Sequence, residues 1–334
     1  MGPGWPCLGG ERTAVTAEHK PPMMQGTIFH ERWWLDAACN GYVEEATVKL
    51  SGRVVGRLPY LYQRRYGFRF IGLPPLTHVL GPLIDTGPGK PETRLRSCLS
   101  IVQGLLEQLP PADSFMHCCE TSPQMVLAFQ QCGYLVKPQC NFRLPAGVGL
   151  PAVLEQMNFK TRGHIHRAEK DYAISRLSDP ARFVHFYRRN MHRTGRTDRV
   201  ALDRCAPLWE ACQARDAGEI IAVHDDAGEP AAMAFIVWDR TSLYYLLATR
   251  APGAASANAA NLLVWTAIRR AYERGLAFDF DGVVHAGQMR FFLGFGAQLS
   301  SRLIITRSSP LYLAARFLRR RMASARARES EIFT

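Results

Sequence analysis

FDFDGVVHAGQMRFFLGFGA, Phe278 to Ala297, alternates Asp279 and Asp281 with Phe278 and Phe280, then runs into an aromatic stretch whose lone formal charge is Arg290. Alternate residues of a strand share a face, so both carboxylates point one way and both phenylalanines the other. Gly282 releases the chain toward a helix. The apolar helix LLVWTAIRRAYERG precedes the strand, and helix, strand, helix in succession is the alternation of an α/β protein.

The same order occurs earlier in the chain. Thr93 to Leu109 reads as a helix with Leu95, Leu99, Val102, Leu105, Leu106 and Leu109 on one face, stopped by Pro110 and Pro111. The strand DSFMHCC, the helix SPQMVLAFQQCG and the strand YLVKPQCNFRL follow. In both passages a Gln-Met pair opens the later helix, and Phe129 or Phe292 stands four residues before Gly133 or Gly296. The two phenylalanines lie 163 residues apart, close to half the chain. The pattern predicts two similar α/β units with mixed sheets, related by an internal repeat, and a functional site where they meet.

Outside the repeat, strand alternation covers Tyr42 to Leu50 and Arg53 to Tyr62, with Ser51 and Gly52 as the turn. Short strands are expected at Phe68 to Gly72 and Val79 to Ile84. Helical periodicity covers about Leu150 to Tyr172, Asp179 to Arg193 and Asp203 to Arg215. Strands at Glu219 to His224, Ala231 to Trp238 and Ser242 to Thr249 lead to a helix at Ser256 to Arg274. A strand at Ala277 to Phe280, the aromatic helix, a strand at Gln298 to Thr306 and an arginine-rich terminal helix complete the chain.

With 334 residues and 47% hydrophobic content, the chain is a folded globular protein of one large domain or two. Nine cysteines, an odd number without a CxxC pair, fit reduced thiols in a cytoplasmic protein better than a disulfide framework or a zinc site. No uncharged apolar run reaches the roughly 18 residues of a membrane span. Residues 1–28 lack a signal-peptide core and read as a flexible tail or a misassigned start. A net charge of +12 favours a polyanionic partner, whether RNA, a phosphate-bearing cofactor or an anionic membrane, or is simply a basic surface.

Four stretches carry candidate chemistry. In FKTRGHIHRAEK, Lys160, His164 and Arg167 recur along one helix face, and with Arg162 they either engage phosphate or form a solvated surface. In YRRNMHRTGRTDR, Arg193 and Arg196 flank a loop around Gly195 that suits a phosphate-bearing substrate. In ATRAPGAASANAANLLVWTAI, a loop of small residues between Arg250 and Asn258 opens a helix, a geometry in which backbone N–H groups hold phosphates. It is neither a Walker motif nor a dinucleotide fingerprint. In the opening stretch, Asp279 and Asp281 can orient or deprotonate an amine, or pair with Arg290. Tyr244, Arg290 and Phe291 are further candidates for substrate contact. No metal-binding motif and no nucleophile signature is present, which favours direct transfer between bound partners.

FHERWWLDAACNGY, GLPPLTHVLGPLID, FKTRGHIHRAEK, LLVWTAIRRAYERG with FDFDG, and RFFLGFGA together resemble the FemAB-like and BioF2-like branch of the GNAT acyltransferase superfamily, from about residue 29 to 306. The resemblance implies tandem GNAT-like domains. Boundaries are set at 1–28 for the tail, 29–145 and 146–308 for the domains, and 309–334 for a basic terminal helix and tail.

It also implies transfer of an acyl or aminoacyl group to a primary amine, with aminoacyl-tRNA or acyl-CoA as co-substrate and no tightly bound cofactor. The loop APGAASANAA departs from the (R/Q)xxGx(G/A) pyrophosphate signature of GNAT enzymes, which turns the expectation toward aminoacyl-tRNA. The expected roles are Asp279, Asp281 and Lys160 in catalysis; Arg162, His164, Arg167, Tyr244, Arg290 and Phe291 at the acceptor; and Arg193, Arg196, Arg250 and Asn258 at the donor. Acyl-CoA-dependent transfer is one alternative. The other is a non-catalytic nucleic-acid or membrane-surface protein, the latter through the terminal helix.

Overall fold

The computed structural model describes residues 26–194, 201–253, 255–282 and 286–319, with Met24 and Arg321. The expected tail lies almost wholly outside the described residues, as does Arg196.

Strands β1 (Glu44–Leu50), β2 (Arg53–Arg65), β3 (Phe68–Gly72) and the short β4 (Leu83–Ile84) open the fold. The first two join through Ser51 and Gly52 at φ 50° and 80°, the paired left-handed conformation that a tight hairpin requires. Then come β5 (Ser114–Glu120) and β6 (Leu135–Leu144), separated by helix. The second half supplies β7 (Ala173–Leu177), β8 (Gly218–His224), β9 (Pro230–Trp238), β10 (Ser242–Arg250), β11 (Ala277–Gly282) and β12 (Gln298–Ser308). The order across the sheet is β1-β2-β3-β5-β12-β6-β11-β10-β9-β8-β7, with β4 beside β2.

This order is nearly a palindrome. From one end, antiparallel β1, β2 and β3 lead to β5, which joins β3 in parallel; from the other, antiparallel β8, β9 and β10 lead to β11, which joins β10 in parallel. The last strand of each half crosses over: β12 pairs with β5, and β6 pairs with β11. Separate mixed sheets were expected for the two units. Exchange of the final strands instead makes one continuous sheet, because β6 and β12 also pair with each other along nine residues.

Helices cover both faces. On one, α4 (Leu150–Gln156), α5 (Phe159–Asp171), α8 (Ala255–Glu273) and α9 (Ala286–Leu293) belong to the part of the core that includes Ile165, Leu263, Phe278, Phe280 and Phe292. On the other, α1 (Arg32–Cys39), α6 (Pro180–Arg193) and α7 (Cys205–Gln213) bury Trp34, Phe183 and Leu208 with Phe29 and Tyr244. Under the first half, α2 (Pro91–Glu107) and α3 (Pro123–Gln131) enclose Val102, Leu105 and Phe129. Residues 310–319 form a terminal helix, α10.

Three expectations need correction. Helical periodicity across Leu150 to Tyr172 is broken into α4 and α5, because the Asn158 side chain accepts from the Lys160 N–H at 2.8 Å and starts a new helix. The strand expected at Val79 to Ile84 shortens to β4, since the Leu80 N–H is drawn to the Cys118 carbonyl at 2.7 Å. The strand β7 was not anticipated; AISRL lacks a core-strand pattern because it is an edge.

Candidate active site

β10 and β11 pair in parallel only from Ser242 to Tyr244 and from Ala277 to Asp279. At the same level β10 breaks register with β9 between Tyr244 and Leu247, and β11 breaks register with β6 between Asp279 and Gly282. The two strands therefore stop pairing in mid-sheet, and the backbone groups beyond Tyr244 and Asp279 have no partner in the β10–β11 ladder. Loop residues 251–253 and the start of α8 follow β10 at this end.

In the first half, β3 and β5 likewise pair only at Phe70–Ser114 and Ile71–Phe115. There the chain fills its own gap. The Leu80 N–H donates to the Cys118 carbonyl, the His117 Nδ1–H donates to the Leu80 carbonyl at 2.7 Å, and the His30 Nε2–H donates to the Gly81 carbonyl at 3.1 Å.

Beside the parting lies a charged network. Asp279 is fully buried; it lies 3.0 Å from Arg302 Nη2 and 3.4 Å from Arg143 Nε, and its Oδ1 accepts the Asp281 N–H at 2.8 Å. Asp281 accepts from Arg302 Nη1 at 2.6 Å and lies 3.0 Å from Nδ1 of His78. Burial opposes its ionisation, but the charge and hydrogen bonding of His78 and then Arg302 outweigh that and hold the carboxyl well below the usual carboxylate range. Burial opposes the charge of Arg302 as well, yet Asp279 and Asp281 raise its pKa further.

The network backs onto a cleft of about 890 Å³ whose wall includes His30, Val79, Gly81, Glu120 and Thr121. Glu120 sits opposite Arg302 in register and 3.8 Å from Arg143. Its pKa is raised by burial, against the pull of Arg143 and Arg302.

The protein family described as "Acetyltransferase (GNAT) domain" matches residues 159–291, the segment containing α5, α8, β10, β11 and the parting. FemX, in its crystal structure, superposes with a TM-score of 0.65 at 14% identity, over 84% of this chain and 92% of that one. A tandem GNAT protein from the clavulanic acid biosynthesis pathway gives 0.51 at 9% identity, over 82% and 87%. A conserved protein of Bacteroides thetaiotaomicron VPI-5482 gives 0.50 at 10%, over 83% and 92%. No curated protein matches the chain. Residues 159–291 are a GNAT acyltransferase domain. The chain's likeness to FemX agrees with the FemAB-like branch to which its motifs pointed.

The GNAT fold gives the sequence candidates unequal places. Asp279 and Asp281 do share a face, but their partners are Arg302, Arg143 and His78, while Arg290 is exposed on α9. A carboxylate so paired is a holder of charge rather than a free base. Tyr244 is buried, its hydroxyl donating to Asp239 at 3.0 Å, and is core rather than acceptor wall. Arg250 folds back onto the Gly253 carbonyl and Ser256 Oγ at 2.9 and 2.7 Å, bracing its loop.

His164 and Asn258 come together, with Nδ1–H donating to Oδ1 at 2.7 Å, and tie α5 to the start of α8. Lys160, Arg162 and Arg167 are exposed along α5, Arg193 is exposed at the end of α6, and Phe291 is half-buried beside Phe295. His78, Glu120, Arg143 and Arg302 were missed. Arg302 alone carried a signal, as a single charge inside the apolar run LSSRLIIT.

Proposed function

We propose that the chain joins an aminoacyl group, delivered on tRNA, to the primary amine of a small acceptor, and that residues 29–145 and 146–308 are tandem GNAT-like units of which the second performs the transfer. The observation that carries this reading is the parting of β10 and β11 beyond Tyr244 and Asp279, set against a counterpart beside β5 that the chain fills with Leu80. The palindromic strand order and the likeness to a protein described as a tandem GNAT support the two-unit reading.

The acyl carbonyl lies in the parting, where backbone N–H groups stabilise the oxyanion that forms on attack. As the amide forms, the ester C–O bond breaks, and the tRNA hydroxyl leaves with the proton taken from the amine. The acceptor occupies the cleft, with its amine near Glu120. An ammonium must lose a proton before it attacks. Glu120, which lines the cleft and whose carboxyl holds a proton more readily than an ordinary one, is the group that takes it, while His78 is paired with Asp281 behind it. Asp279 and Arg302 keep Asp281 in place.

The RNA donor is supported by exposed Lys160, Arg162, Arg167 and Lys170, which form no ion pair among the described residues and lie on the helix tied to the start of α8. An acyl-CoA donor is the second reading, favoured by the N-terminus of the 19-residue α8 at the end of β10, which suits a diphosphate. Incubation of the protein with charged total tRNA or a panel of acyl-CoAs, together with candidate amines, separates them by mass spectrometry. Ribonuclease-sensitive product supports the tRNA donor; product from acyl-CoA after ribonuclease treatment overturns it.

A further inference from the structure

Helix α10 is fixed to the body by one side and bare on the other. Tyr312 packs edge-on against Phe68 and Phe70 with centroids 5.4 Å apart in both cases, and Arg319 lies over the Tyr66 ring at 5.4 Å. The Tyr312 N–H donates to Ser309 Oγ at 3.2 Å and fixes the start of the helix. On the remaining surface, Leu311 is 70% exposed, Phe317 58%, Leu318 59% and Leu313 49%, and Tyr66 at the tip of the β2–β3 hairpin is 84% exposed.

At 100° per residue, Leu311, Ala314, Phe317 and Leu318 fall on the side opposite Tyr312, so the apolar stripe faces away from the sheet. Its borders are cationic. Arg64, Arg65, Arg316, Arg319 and Arg321 are exposed around it. From Ser308 to Arg328 the sequence holds arginines and no acid.

We propose that this face, α10 with the Tyr66 hairpin tip, docks on an anionic lipid surface. Contiguous exposed apolar side chains mark an interaction surface, and the charge around them selects its partner. A second copy would bring arginines against arginines. An RNA strand would use the cations and Tyr66 but leave Leu311, Leu313 and Leu318 in water, since phosphate and base recognition has no use for aliphatic side chains. Anionic lipid satisfies both sets, with headgroup phosphates for the arginines and the acyl boundary for the leucines and Phe317. The inference is independent of the acyl donor, and α10 lies beyond residues 159–291, which match the GNAT family.

The test is co-sedimentation of the full chain with vesicles of phosphatidylglycerol and phosphatidylcholine, and with phosphatidylcholine alone. The expected result is binding to the anionic vesicles only, weakened by salt. In the variant carrying Phe317→Asp and Leu318→Asp, affinity falls on the order of tenfold or more. Both side chains are exposed, so an unchanged melting temperature shows that the fold is intact; single Leu311→Asp substitution gives the same direction should the double variant fail to fold. Equal binding by variant and parent, no binding to anionic vesicles, or binding of single-stranded RNA in place of vesicles overturns the proposal.

Discussion

Arg302 Nη1 meets Asp281 Oδ1 at 2.6 Å, at the point where Asp281 takes a positive φ of 68°. A non-glycine residue in that conformation is held there by its surroundings, and here the holder is a guanidinium buried between Asp279 and Asp281. Removing one partner of a buried pair strands the other. Arg302→Leu is expected to lower unfolding stability by roughly 3–5 kcal/mol in chemical denaturation. Asp281→Asn keeps a residue that tolerates the left-handed region, and is expected to cost less stability while releasing His78.

Acid should weaken the filled gap beside β5 before it reaches the carboxylates. His30 and His117 have pKa values lowered to about 4, chiefly by burial, against 6.5 for an ordinary imidazole. Both are neutral in the fold, so the unfolded chain binds more protons between those values. Their stabilisation is complete above pH 6.5 and is lost as pH falls toward 4, by up to roughly 3 kcal/mol each. Melting temperature measured across this window should fall, and replacing both by glutamine should flatten the slope.

The repeated glycines predict an asymmetry. Gly133 and Gly296 have φ of 77° and 75°, but a Cβ at Gly133 meets nothing within 4 Å, while one at Gly296 comes within 2.9 Å of Gln156 Cβ and 3.1 Å of its backbone. Gly133→Ala bears only the left-handed strain, about 1 kcal/mol. Gly296→Ala adds a clash with α4, and its denaturation midpoint should drop by clearly more.

Much of the fold was legible because it is local. The Ser51-Gly52 turn, the helix faces and the Phe–Gly spacing of the repeat are set by neighbours in sequence. Asp279 and Asp281 could be read as one face for the same reason. Their partners could not: Arg302 reaches them from β12, and His78 and Glu120 belong to the other half of the chain. Strand exchange brings these together, and alternation within one strand carries no information about which strand lies beside it.

Catalysis separates Glu120, which lines the cleft, from the buried pair behind it. Glu120→Gln should lower kcat by about 10² or more if it takes the proton, without a large loss of stability. The raised pKa of Glu120 means that its loss should also move the acidic limb of the pH–rate profile. An unchanged rate and profile in the variant would overturn this assignment of the base.

The exposed cations of α5 distinguish an RNA donor from a smaller one by their salt response. A polyanion bound through Lys160, Arg162, Arg167 and Lys170 releases counterions for each phosphate neutralised, so affinity for charged tRNA should fall steeply as salt rises. Replacing Lys160 and Arg167 by glutamine removes two contacts, and the log–log slope should then decrease by about 2. Arg167 donates only to the Gly163 carbonyl of its own helix, at 3.2 Å, and Lys160 is exposed, so the substitutions leave α5 and its His164–Asn258 tie intact. A fluorescence-anisotropy titration of tRNA at several salt concentrations reads the slope directly. A slope that the double variant does not change would place the nucleic acid elsewhere, and would leave α5 as a solvated basic surface.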